Sequence, residues 1–123
     1  MLRKAFTALA LLAASPLAAN AAGDAKAGAD VFKRCAVCHT DDKGGGDGLG
    51  PNLFGVVGRK AASQSGFAYS APLKKANIVW NDATLTKWVA GPGRMVPGTK
   101  MQFAGITSKK QQADVVAFLA SLK

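Results

Sequence analysis

Apolar residues recur at three- and four-residue intervals near both ends of this chain, whereas its middle keeps no sustained period. Ala25, Gly28, Ala29 and Phe32 fall on one helical face, and Asp24 ahead of them is suited to cap that helix. Gly28 costs about 1 kcal/mol relative to Ala in a helix interior, so its place there points to a second helix approaching closely. At the other end Val115, Phe118, Leu119 and Leu122 form a stripe, in a segment that Thr107 or Ser108 caps and that runs to about Leu122. The pattern predicts two terminal helices that cross, with Gly28 against the Phe118 region.

Between them the chain is dense in Gly and Pro. Residues 44–58, GGGDGLGPNLFGVVG, have neither helical period nor strand alternation and read as a loop folded against something else. A short helix is expected from Ser70 to near Ala76 and another from an Asp82 cap to Ala90, where Gly91-Pro92 stops it. Leu85, Trp88 and Val89 give the latter a buried side. The expected class is all-α: two crossing terminal helices, two or three short ones, and long Gly/Pro-rich loops.

The first residues read as a secretory leader rather than as part of that fold. Arg3 and Lys4 are a basic start, Ala5 to Ala14 an apolar run, and Ala19-Asn20-Ala21 a small-x-small cleavage pattern. Ser15 and Pro16 interrupt the run well short of the roughly 20 apolar residues needed to span a bilayer. The expectation is cleavage after Ala21, leaving residues 22–123 as one domain without stable membrane insertion, in the periplasm.

Charge then narrows the choice of partner. The chain holds 16 Lys and Arg against 7 acidic residues, all of them Asp. This excess suits an acidic protein surface, while scattered lysines without an aromatic-basic motif argue against nucleic acid.

The residues with the most specific chemistry are Cys35-Ala36-Val37-Cys38-His39. Zinc needs four N or S ligands, and the chain has only these three, packed together. A thioredoxin-like dithiol would sit in a βαβ setting that the sequence lacks. Cys-x-x-Cys-His is instead the attachment pattern of a c-type haem: with residues 34–40 helical, two sulfurs one turn apart reach the porphyrin, and His39 supplies an axial imidazole. Export agrees, because outside the cytoplasm adjacent thiols tend to oxidise unless something consumes them.

His39 is the sole histidine, which excludes bis-histidine ligation within one chain. Two methionines outside the leader, Met95 and Met101, lie in the proline-glycine stretch from Gly91 to Met101, an unusual setting for a packing methionine. Methionine opposite histidine raises the reduction potential of haem iron.

Gly50-Pro51-Asn52-Leu53, Gly58-Arg59-Lys60, Gly66-Phe67-Ala68-Tyr69, Trp80, Pro97-Gly98-Thr99-Lys100-Met101 and Phe103-Ala104-Gly105-Ile106 follow the motif in order. With them the chain resembles the class I cytochrome c family, close to its soluble mitochondrial and proteobacterial members. The resemblance implies the small cytochrome c fold around one covalently bound haem c, with Met101 rather than Met95 as the sixth ligand. It implies that the Pro51 carbonyl accepts the His39 Nδ1 proton, and that Arg59, Tyr69 and Trp80 surround a haem propionate. It also sets Thr99 near the other propionate or the methionine loop and Phe103 over the haem face beside Met101. One departure is Trp88, which stands where many relatives carry a tyrosine near the ligand sulfur.

With both axial positions filled, the reading is a monomeric, soluble carrier of single electrons and not an enzyme. It would draw from a donor complex or dehydrogenase and deliver to an oxidase, reductase or photosynthetic centre, docking through Lys33, Lys60, Lys100 and their neighbours. The alternatives are a haem enzyme or gas sensor whose methionine detaches, and a dedicated cytochrome subunit of one dehydrogenase.

Overall fold

The computed structural model describes residues 23–123 and, ahead of them, Ala10 alone, so the leader and its cleavage site lie outside the described residues. Five helices follow in order: α1 Ala25–Phe32, α2 Ala71–Lys75, α3 Asp82–Ala90, α4 Pro92–Met95 and α5 Lys109–Ala120. Among the described residues the sole β pairing is an isolated antiparallel bridge between Lys60 and Val79.

α1 begins where its cap was expected: the Asp24 carboxylate accepts from the Lys26 and Ala27 N–H groups. Gly28 and Phe32 face inward and Ala29 is exposed, so the buried face is narrower than the spacing suggested. α5 crosses α1 as expected. A side chain at Gly28 would run into the Asp114 carbonyl and the Phe118 Cβ, and the Phe32 and Phe118 rings meet at 4.9 Å just beyond. Glycine is required here for close approach. Ser108 is the cap of α5, and the helix ends at Ala120 rather than Leu122, where the Ser121 N–H closes on the Ala117 and Phe118 carbonyls.

Two polar residues of α5 are buried as well, which hydrophobic spacing does not indicate. Asp114 Oδ1 accepts the Asp24 N–H at 2.8 Å and Oδ2 the Lys110 ammonium at 2.7 Å, so one carboxylate ties the start of α1 to α5. These bonds hold the Asp114 carboxyl below its ordinary range, the Asp24 N–H contributing most. Gln112 Nε2 donates to the Ile106 carbonyl at 2.6 Å and so secures the chain entering the helix.

The middle helices differ from expectation in their boundaries. The cap of α3 is Asn81 and not Asp82: Asn81 Oδ1 accepts the Thr84 N–H while Thr84 Oγ1 accepts the Asn81 N–H, a capping box. Asp82 sits in the first turn, where its charge complements the helix dipole. Gly91-Pro92 does end α3, but Pro92 at once opens the short α4, since its fixed φ suits a first helical position. Met95 therefore belongs to a helix and packs on the core instead of riding in an open loop.

Candidate haem-binding site

From Phe32 the chain continues in tight turns rather than as α-helix through the cysteine motif. The Cys35 and Ala36 N–H groups both close on the Phe32 carbonyl, and the His39 N–H on that of Cys35 at 2.9 Å. Cys35, Cys38 and His39 thereby face a single cavity of about 600 Å³, within the range of small-molecule and cofactor sites.

The His39 ring is held from two sides. Its Nδ1 lies 2.7 Å from the Pro51 carbonyl oxygen, so that nitrogen carries the proton and Nε2 keeps its lone pair. On the other side a Cβ at Gly50 would press on the ring, 2.7 Å from Nδ1 and 2.8 Å from Nε2. Burial pushes the imidazole below its ordinary pKa, with the Pro51 bond pulling the other way. Burial likewise raises the Cys35 thiol, against the opposing pull of Arg34, which is the reverse of what a reactive redox thiol needs.

Pro51 is fixed by its neighbours. The Asn52 N–H donates to Asp47 Oδ1 at 2.7 Å, and Asn52 Nδ2 donates to the Asp42 and Gly45 carbonyls. The glycine-rich segment is thus folded around one buried asparagine.

Met101 lines the same cavity, whereas Met95 lines a separate surface recess with Lys87 and Arg94. Pro51, Arg59, Tyr69, Trp80, Thr99 and Phe103 all reach the cavity, so the structure gathers every residue the sequence nominated. Arg59 and Trp80 are brought side by side by the Lys60–Val79 bridge, where the Trp80 N–H donates to the Arg59 carbonyl at 2.9 Å. Arg59 has a further use: its guanidinium donates to the Asn52 carbonyl at 3.1 Å and the Phe54 carbonyl at 3.4 Å. Tyr69 packs edge-on to Phe67, and burial raises its hydroxyl pKa. Trp88 also lines the cavity and meets Trp80 in an edge contact at 5.3 Å.

Sequence reasoning did not assign the apolar lining from Leu53, Val56, Leu73, Leu85, Val89 and Leu119 to one wall, because these come from five separate segments. At the opening, Val37 and Leu49 are 78% and 84% exposed, and Arg34, Lys60 and Lys100 stand beside them. Lys33 departs from the expected ring, being paired with Asp30 at 2.9 Å. An apolar cavity of this size, with N and S donors on facing walls and a glycine admitting the imidazole, fits a flat apolar macrocycle carrying a metal.

Comparison with known proteins agrees. The family model described as "Cytochrome c" matches residues 25–123. A cytochrome c of Gibberella zeae is 46% identical over 80% of this chain and 94% of its own length. Cytochrome c2 of Rhodomicrobium vannielii is 46% identical over 84% of the chain and 82% of its own. In structure, cytochrome cH from Methylobacterium extorquens aligns with a TM-score of 0.76 at 44% identity, covering 80% of this chain and 99% of that one. The chain belongs to the cytochrome c family. It is accordingly an electron carrier whose cofactor is a covalently attached haem c.

Proposed function

We propose that the chain is a soluble periplasmic carrier of single electrons, made by cleavage near Ala21 and working as a monomer of residues 22–123. Cys35 and Cys38 hold the haem by thioethers, and His39 and Met101 are the axial ligands of its iron. The observation that carries this reading is that one cavity has the Cys-x-x-Cys-His residues on one wall and Met101 on the other, with Met95 elsewhere.

When bound, the haem supplies a one-electron iron couple; the chain holds both ligands in place while the charge changes, which keeps reorganisation small. Pro51 fixes the imidazole, Phe103 and Trp88 close the apolar side, and Arg59, Tyr69, Trp80 and Thr99 serve the propionates. With no vacant axial position there is no place for a substrate, so the protein is not an enzyme.

Arg34, Lys60 and Lys100 at the opening support docking to acidic partner surfaces, donor and acceptor alike. Among the described residues no helix is long and apolar enough to cross a membrane.

The test is spectroscopic. The ferric holoprotein is expected to be low-spin with the weak near-infrared sulfur-to-iron band, and the ferrous protein to ignore carbon monoxide at neutral pH. A high-spin ferric spectrum, or ready carbon monoxide binding, would sink the ligation and favour a haem enzyme or gas sensor.

A further inference from the structure

The peptide unit that joins Pro51 to Asn52 faces two ways. Its carbonyl oxygen accepts the His39 Nδ1 proton at 2.7 Å, and its N–H donates to Asp47 Oδ1, also at 2.7 Å. A carboxylate and an imidazole are thus connected through one amide, without touching each other. We propose that Asp47 is a positioning residue that sets the electron affinity of the site by acting on His39 through the Pro51–Asn52 peptide. This rests on the assignment of His39 as an iron ligand.

The physical basis is the polarity of the amide. A negatively charged acceptor on the N–H draws the nitrogen lone pair toward the carbonyl and leaves more electron density on its oxygen, since hydrogen bonds in a chain strengthen one another. A stronger acceptor pulls harder on the Nδ1 proton and makes the imidazole a more basic ligand. A more basic ligand favours ferric over ferrous iron, so Asp47 lowers the reduction potential.

The surroundings keep this arrangement single-valued. Asn52 is 6% exposed, and its side chain is fully committed: Nδ2 to the Asp42 and Gly45 carbonyls at 3.0 and 3.1 Å, Oδ1 to the Phe54 N–H at 2.8 Å. The peptide therefore has no freedom to turn its N–H away from Asp47.

Asp47 is fixed from a second direction. Gln64 Nε2 donates to the same Oδ1 at 2.6 Å, while Gln64 Oε1 is buried without a hydrogen-bond partner. Reversing the amide would set its oxygen against the carboxylate, so the unpaired Oε1 is the lesser cost. Two donors thus share one carboxylate oxygen, and Gln64 holds part of the electron density that Asp47 would otherwise direct into the peptide. The two residues act on His39 with opposite signs.

That opposition separates tuning from scaffolding. Redox titration of the holoprotein is expected to show Asp47→Asn raising the potential by a roughly threefold change in the ferric-to-ferrous ratio, about 28 mV at 59 mV per tenfold. Gln64→Ala is expected to lower it by a smaller amount. Asp42→Asn, which neutralises a carboxylate of the same loop that makes no hydrogen bond to this peptide, is expected to leave it unchanged. In the ferrous state the His39 Nδ1 proton resonance should move upfield in Asp47→Asn, reporting a weaker bond to Pro51.

If Asp47→Asn and Gln64→Ala move the potential in the same direction, the residues only brace the loop and the proposal fails. An Asp42→Asn shift as large as that of Asp47→Asn would reduce the effect to charge acting through space, and likewise overturns it. Failure of the ligand assignment has a separate signature: the unaltered holoprotein would not be low-spin, and the proposal would go with it.

Discussion

The two walls of the cavity are built on different principles. The wall that carries His39 is a network of hydrogen bonds: Gly50 N–H to the Cys38 carbonyl at 2.9 Å, Leu53 N–H to Thr40 at 2.8 Å, His39 to Pro51, and Asn52 to Asp42, Gly45 and Asp47. The wall that carries Met101 has far less of this. Residues 101–108 adopt no regular structure, and the stretch is tied mainly at its ends, by Thr99 N–H to Val96 at 3.1 Å and Ile106 N–H to Val89 at 2.8 Å. Directional bonds orient an imidazole whose second nitrogen matters. A thioether has no second site to orient, and apolar packing suffices to present it.

The comparison is broken most completely at the ligand itself. Met101→Ala is expected to abolish the near-infrared sulfur band and open the ferrous iron to carbon monoxide, while Met95→Ala keeps the spectrum of the parent protein. Absorption spectra of the two holoproteins decide it, and loss of the band in Met95→Ala alone would reverse the assignment.

On the histidine wall, Gly50→Ala is expected to destabilise the fold by about 2–3 kcal/mol in denaturant titration, because the new Cβ overlaps a ring that cannot retreat. Asn52→Ala, which leaves the buried Phe54 N–H and two carbonyls without their side-chain partner, is expected to cost about 2 kcal/mol. The counterpart on the methionine wall is smaller. Gly98 has φ +86° and room for a Cβ at 3.0 Å from Pro72, so Gly98→Ala pays chiefly the left-handed backbone, about 1–2 kcal/mol. Equal losses at Gly50 and Gly98 would erase the distinction between the walls.

The smallest effect tests what lies outside both walls. The Asp114 carboxyl is held below its ordinary value by the Asp24 N–H and by Lys110. A depressed folded value means that its contribution is complete above the unfolded value of about 3.9 and is lost as pH falls through the folded one. Asp114→Asn should therefore flatten the acid limb of the stability profile and leave the spectrum at neutral pH unchanged. Thermal melts across pH 2–6 would show it, and an unaltered acid limb would deny the carboxylate this role.

Legibility followed the range of the interactions. The Asp24 and Ser70 caps, the glycine stop after α3 and the stripe of α5 are local, set by side chains within a turn of their targets, and they were readable from order alone. Asn81 was passed over for Asp82 because both residue types cap helices, and only the reciprocal bond with Thr84 chooses between them. Asp114 and Gln112 had no signal in the pattern, since what makes them buried is a partner on another segment. The same holds for Asp47, one aspartate in a glycine-rich run until the fold sets Asn52 and Gln64 against it.

By itself the order of residues determined the chemistry: a Cys-x-x-Cys-His motif, one histidine, two methionines and a closely approached Gly28 left few choices of cofactor or fold. Only the tertiary structure decided which atoms meet. It set Met101 in the cavity and Met95 outside it, turned Arg59 onto backbone carbonyls, and joined Asp47 to His39 through a shared peptide. The reason is physical: ligand identity and helix period are properties of the chain over a few residues, whereas hydrogen-bond partners separated along it exist only once packing has brought them within 3 Å or so.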